Sequence, residues 1–148
     1  MPKSKERVRL NKCQREAEGY LELGLPGLAL RALARLGEPE HFAPSTLYLW
    51  GESLRAMERY DEAIPALERS AEAEPENVHI WLALGWCYKR TGRLPRAVAA
   101  LRSALNADPS EAILHYNLAC YLSLAGDKDS ALVHLSQALA TDPHYRTL

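Results

Sequence analysis

Cysteine is scarce. Cys13, Cys87 and Cys120 are the three in 148 residues, too few and too scattered for a disulfide framework. Long apolar runs are missing too: no uninterrupted stretch approaches the roughly 18 residues a membrane helix needs. Residues 1–7 carry charges with no apolar segment behind them, which reads against a secretory leader. Neither sign of charge dominates, since 18 Lys and Arg face 19 Asp and Glu for a net charge of −1. That balance counts against a dedicated nucleic-acid binder, whose affinity rests on clustered cations neutralising phosphates. Phenylalanine occurs once, and valine and isoleucine are rare, which weighs against sheet. What remains is 47% hydrophobic and 25% charged, rich in leucine and alanine. This is the composition of a soluble, helical, reduced and cytoplasmic protein of about one domain. No Gly-rich phosphate loop, H-E-x-x-H, C-x-x-C or G-x-S-x-G is present. No enzyme, cofactor or metal site is therefore expected.

Internal repetition organises the chain. Ala63, Ala97 and Ala131 are spaced by 34 residues, as are Leu67, Leu101 and Leu135, then Pro75, Pro109 and Pro143. Gly51 with Gly85, and Gly92 with Gly126, keep the same step. Three gapless units result, at 44–77, 78–111 and 112–145. Each reads as two helices. In the second unit Ile80, Trp81, Leu84, Cys87 and Tyr88 recur at three- and four-residue spacing, one apolar stripe. Thr91-Gly92-Arg93 breaks that helix, because glycine takes the positive φ of a helix C-terminus. Pro95 suits the first turn of the next helix, whose stripe is Ala97, Leu101, Ala104 and Leu105, and Asp108-Pro109 stops it. Gly51, Gly85 and Ala119 stand where paired helices cross, and small residues there let the axes approach to the roughly 8–10 Å of packed helices.

The pattern Trp81-x-x-Leu84-Gly85-x-x-Tyr88, followed by Ala97, Leu101, Ala104 and Pro109, resembles the tetratricopeptide repeat. The first unit has Leu47, Trp50, Leu54 and Ser70 at signature places, and the third has His115, Ala119 and Leu122. The resemblance implies an all-α, right-handed superhelical solenoid of antiparallel helix pairs. Stepping back 34 residues from Leu54, Ala63 and Leu67 lands on Tyr20, Ala29 and Leu33. Residues 1–43 thus read as a degenerate N-terminal capping pair, with helices near 4–23 and 26–36 and a connector at 41–44. Its cations, Lys3 to Arg15, suit a solvated terminal face. Residues 146–148 form a short tail. Without a polar capping helix the last pair would leave Leu132 and Leu139 facing outward. A tail folded over them, a longer chain and self-association all account for that equally.

The resemblance also implies a binding mode: a concave face, lined by the first helix of each pair, that receives a peptide or helix from another protein. Its places here include Tyr48, Glu52 and Arg55, then His79, Trp86, Lys89 and Arg90, then Tyr116 and Cys120. Large aromatics with a polar tip are good anchors, and Trp86 leads. Tyr48 and Tyr116 read as well as cover for neighbouring helices. Trp50 and Trp81 fall on core places. Arg55, Lys89 and Arg90 would hold acidic groups, and Glu52 would oppose them. The Lys-Asn-Arg clamp of repeats that bind chaperone tails is missing, since Tyr48, Glu52, Ala83, Ile113 and Asn117 occupy its places. Cys87 reads as an inert packing thiol. Cys120 faces the groove with no base beside it. His115 reads as a packed, hydrogen-bonded core residue, whereas His41, His79, His134 and His144 are dispersed and lack ligand spacing. A non-catalytic protein-interaction module is expected. The alternative is an assembly subunit, a homo-oligomer joined through Leu132 and Leu139. Neither nucleic acid nor membrane is an expected partner.

Overall fold

The structure is a computed structural model that describes residues 4–144. Lys3, Tyr145 and the tail at 146–148, with any fold-back over the last helices, lie outside the described residues. Eight α-helices and no strand occur among the described residues. They fall into two compact units, one ending at Ala73 and the other beginning at Glu74.

The first unit holds α1 (Ser4–Glu22), α2 (Pro26–Ala34), a 3-10 turn at Pro39–His41, α3 (Pro44–Ala56) and α4 (Tyr60–Ala73). Two boundaries differ from the sequence reading. Helix α2 stops at Ala34 rather than 36, and Gly37 then takes a φ of +113°. Residues 41–44 are not one connector: His41 closes the 3-10 turn, and Pro44 already opens α3, where its missing N–H leaves no bond unmade. Ala17, Ala29, Ala32 and Leu33 form a core cluster with Leu49 of α3. A second cluster joins Phe42, Leu47 and Ala66. Trp50 packs against both, with the Phe42 ring edge-on at 5.6 Å. Ser70, standing where the other units have alanine, is buried because its hydroxyl donates to the Pro44 carbonyl at 2.9 Å.

The second unit contains α5 (Val78–Arg90), α6 (Leu94–Ala107), α7 (Ala112–Leu124) and α8 (Lys128–Thr141). Helix α5 pairs with α6, α7 pairs with α8, and α7 also packs on α6. The Asn77 side chain caps α5 by accepting from the His79 N–H at 3.1 Å, and the Asp127 carboxylate caps α8 through Ser130 N–H at 3.2 Å. The apolar stripe read from sequence is the core: Ile80, Leu84 and Cys87 are wholly or almost wholly buried.

The turn inside each helix pair has one design. Gly24, Gly92 and Gly126 adopt φ of +73°, +76° and +88°, and Glu58 takes the same place at +61°. The next residue's N–H then reaches back to close the helix end, as Arg93 does to the Tyr88 carbonyl at 2.7 Å. The crossing glycines are equally constrained. A Cβ on Gly51 would lie 2.6 Å from Leu67 Cγ, and one on Gly85 would lie 2.4 Å from Leu101 Cδ2. Both leucines are fully buried.

Candidate protein-binding site

In the second unit the candidate residues fall into two groups. Trp86 projects from α5 and is 39% exposed, although Gly85 and Cys87 beside it are buried. Half a helical turn separates the core stripe from the outer face, and the indole lies on the outer one. The Lys89 ammonium stands 5.1 Å from the indole centroid and the Arg90 guanidinium 5.8 Å from it. Two cations thus lie within reach of one aromatic ring, an arrangement that gathers positive charge around it. His79, at the opposite end of α5, is exposed.

The second group lines a groove of about 730 Å³ formed wholly by α7 and α8. Tyr116, Cys120 and Ser123 of α7 face it with Ala119 and Leu124, and α8 supplies Lys128, Ala131, Leu132 and Leu135. Tyr116 is half-buried and Cys120 exposed. Leu132 is 61% exposed, as the sequence expectation has it, and Leu124 reaches 62%. Leu139, also expected to face outward, is half-buried.

In the first unit Tyr48 is half-buried against the Ala17–Leu33–Leu49 cluster. That burial, reinforced by Glu52, pushes its hydroxyl up to about 12, so the phenol stays protonated. Arg55 is not held open for a carboxylate from elsewhere. Its Nε and Nη2 donate to the two Glu52 oxygens at 2.7 and 3.1 Å, and the two opposed charges read from sequence form one ion pair three residues apart.

One association escaped the sequence reading. His115 is packed and hydrogen-bonded as expected, but His134 is not isolated: the two rings stack with Nδ1 atoms 3.1 Å apart. The repeat explains the pair. Trp81 donates its indole N–H to the Pro75 carbonyl at 2.8 Å. One unit later His115 Nε2 sits 3.1 Å from the Pro109 carbonyl, the equivalent acceptor. Nε2 therefore carries the proton, and the bare Nδ1 of His115 accepts from His134 Nδ1–H. Burial first, then His115 and Arg102, hold the His134 pKa below its ordinary value, while Gln137 opposes them. The signal was available in the 34-residue register, where His134 replaces Ala66 and Ala100.

Among the described residues no three His, Cys, Asp or Glu side chains gather as they would around a metal ion. No helix among them is long and apolar enough to cross a membrane.

Comparison with known proteins gives a consistent result. The family model of the tetratricopeptide repeat matches residues 48–112 and again 88–146. Anaphase-promoting complex subunit 3 of Dictyostelium discoideum is 35% identical over 77 residues, 52% of this chain and 8% of that protein. The chain thus spans less than a tenth of the length of that curated relative. Among solved structures, MamA superposes with a TM-score of 0.80 at 18% identity, covering 93% of this chain and 81% of the other. YrrB, described as a TPR protein with an unusual peptide-binding site, gives 0.76 at 21% identity, covering 89% and 71%. Paired helices on a 34-residue step, and a family match running over more than half of its length, place this chain in the tetratricopeptide repeat family.

Proposed function

We propose that the chain is a non-catalytic protein-interaction module that captures a peptide or helix of another protein at Trp86. The observation that carries this reading is the exposed indole with the Lys89 and Arg90 cations both within 6 Å of its ring centroid. An aromatic on a rigid helix buries much area for little lost side-chain entropy. The flanking cations fit a segment with an apolar anchor beside carboxylates, whose charge they meet at short range. Family membership agrees, and YrrB supplies a precedent for peptide binding by this fold. Tyr116 and Cys120 extend the candidate surface on α7, whereas Tyr48, Glu52 and Arg55 form a self-neutralised patch of the first unit.

The test is affinity capture with the wild-type chain beside Trp86→Ala, followed by calorimetry on the recovered partner. Loss of an anchor of this type weakens binding by about 2 kcal/mol, roughly 30-fold. An affinity unchanged in both Trp86→Ala and Lys89→Glu would end the proposal.

A further inference from the structure

The charge of the chain is not spread evenly. Residues 77–107, which hold the α5–α6 pair, contain Lys89, Arg90, Arg93, Arg96 and Arg102 and no Asp or Glu, in a chain with 19 acidic residues. Four of these cations gather at one end of the pair. Lys89 and Arg90 lie in the last turn of α5, Arg93 holds the N-cap place of α6, and Arg96 is the third residue of that helix. Arg90, Arg93 and Arg96 are exposed. The Arg96 guanidinium reaches back toward α5, 6.0 Å from the Tyr88 ring.

The 34-residue register shows what has been exchanged at this tip. In the 44–77 repeat Arg55 pairs with Glu52, and Arg59 pairs with Glu62. One repeat later the cations are kept as Lys89 and Arg93, whereas the two carboxylates have become Trp86 and Arg96. Helix stability does not account for Arg96. The first turn of a helix favours acidic groups, and α4 and α8 carry Asp61, Glu62 and Asp129 there. A cation in that place breaks a local rule, as residues kept for function do.

We infer that the α5–α6 tip holds a phosphorylated side chain of the same peptide whose apolar anchor sits on Trp86. The inference rests on that reading and names the modification its partner carries. A phosphomonoester brings about two negative charges and three acceptor oxygens near pH 7, where a carboxylate brings one charge and two oxygens. Guanidinium forks suit phosphate through paired N–H donors, and Arg90, Arg93 and Arg96 present three of them within seven residues. A nucleic acid fits less well, because it needs cations recurring along a track. The equivalent turns carry Glu58, Asp61 and Glu62 in the 44–77 repeat, and Asp127 and Asp129 in the 112–145 repeat.

The probes are fluorescein-labelled peptides, Leu-Ala-Ala-X-Ala-Ala-Leu, with phosphoserine, glutamate or serine at X. Leucine on both sides supplies an anchor in either chain direction, about 10 Å from X when extended. Fluorescence anisotropy on the full chain near pH 7.5 should give the phosphoserine peptide a Kd on the order of 50 µM, at least tenfold below the other two. Arg96→Glu introduces the residue found at 62 on an exposed place, so it should keep its helical circular dichroism. It should bind the phosphoserine peptide at least tenfold less well. Arg102→Ala, farther along α6, should bind it as the wild type does, and Trp86→Ala should weaken it. Equal binding of the phosphoserine and glutamate peptides, with Trp86→Ala weakening both, overturns the inference and leaves the indole reading standing. Arg102→Ala as harmful as Arg96→Glu, or no saturation by about 1 mM, also overturns it. Indifference to Trp86→Ala ends the indole reading and takes this one with it. A DNA duplex of about 20 base pairs that competes better than unlabelled phosphoserine peptide would overturn it too and assign the tip to nucleic acid.

Discussion

Glu58 holds a left-handed backbone, φ +61°, that its counterparts at 24, 92 and 126 give to glycine. A side chain with a Cβ is strained there by roughly 1–2 kcal/mol, and replacement by glycine returns part of that as added freedom of the unfolded chain. Glu58→Gly is therefore expected to stabilise the protein by about 0.5 kcal/mol, seen as a higher urea midpoint at unchanged slope. The opposite holds at the crossing. Gly85→Ala drives a Cβ to 2.4 Å from the fully buried Leu101. Overpacking of this kind costs about 1–3 kcal/mol, against at most about 1 kcal/mol gained in helix propensity. Gly85→Ala should lower the urea midpoint, and a neutral or raised midpoint would mean that Leu101 yields freely. Gly85 was legible from spacing alone, because a crossing needs a small residue wherever the unit repeats. Glu58 shows only as a departure from the pattern.

Between elements, the bond joining α7 to α8 makes stability depend on pH. The His134 pKa is lowered from 6.5 in the fold, so the folded chain resists a proton that the unfolded chain accepts. The contribution is complete above pH 6.5 and declines as the pH falls from there toward the folded value. His115 from α7, Arg102 from α6 and Gln137 from α8 all act on this ring. The urea midpoint of the wild type should thus fall between pH 7.5 and pH 5.5, by more than that of His134→Ala, which restores the residue found at 66 and 100. Equal falls in both proteins would remove His134 as the cause. The pairing was hidden because 115 and 134 belong to different helices, where periodicity within one helix says nothing. Only the repeat register couples them, through Leu47 and Ala66, which already share a cluster in the first unit.

For the whole molecule, the helical class and the helix pairs were legible because each unit repeats the same buried stripe. The occupancy of a face was less so. Val98 and Leu132 are equivalent in sequence, yet Val98 is half-buried and Leu132 exposed, since the stripe specifies what can be covered and the neighbouring pair decides what is. Charge also behaves differently at this scale. A net charge of −1 supplies almost no net monopole attraction for a charged partner. On the proposed reading, the salt dependence of binding arises locally, from Lys89 and Arg90 beside Trp86. Surface charges of this kind contribute about 1 kcal/mol or less each and are screened over roughly 10 Å at 0.1 M salt. Raising salt from about 0.05 to 0.5 M should weaken an acidic peptide only a few-fold. In Lys89→Glu the cationic cluster is cancelled, so the same titration should be nearly flat. A steep slope surviving in Lys89→Glu would place the acidic contact elsewhere on the chain and detach the carboxylates from the indole.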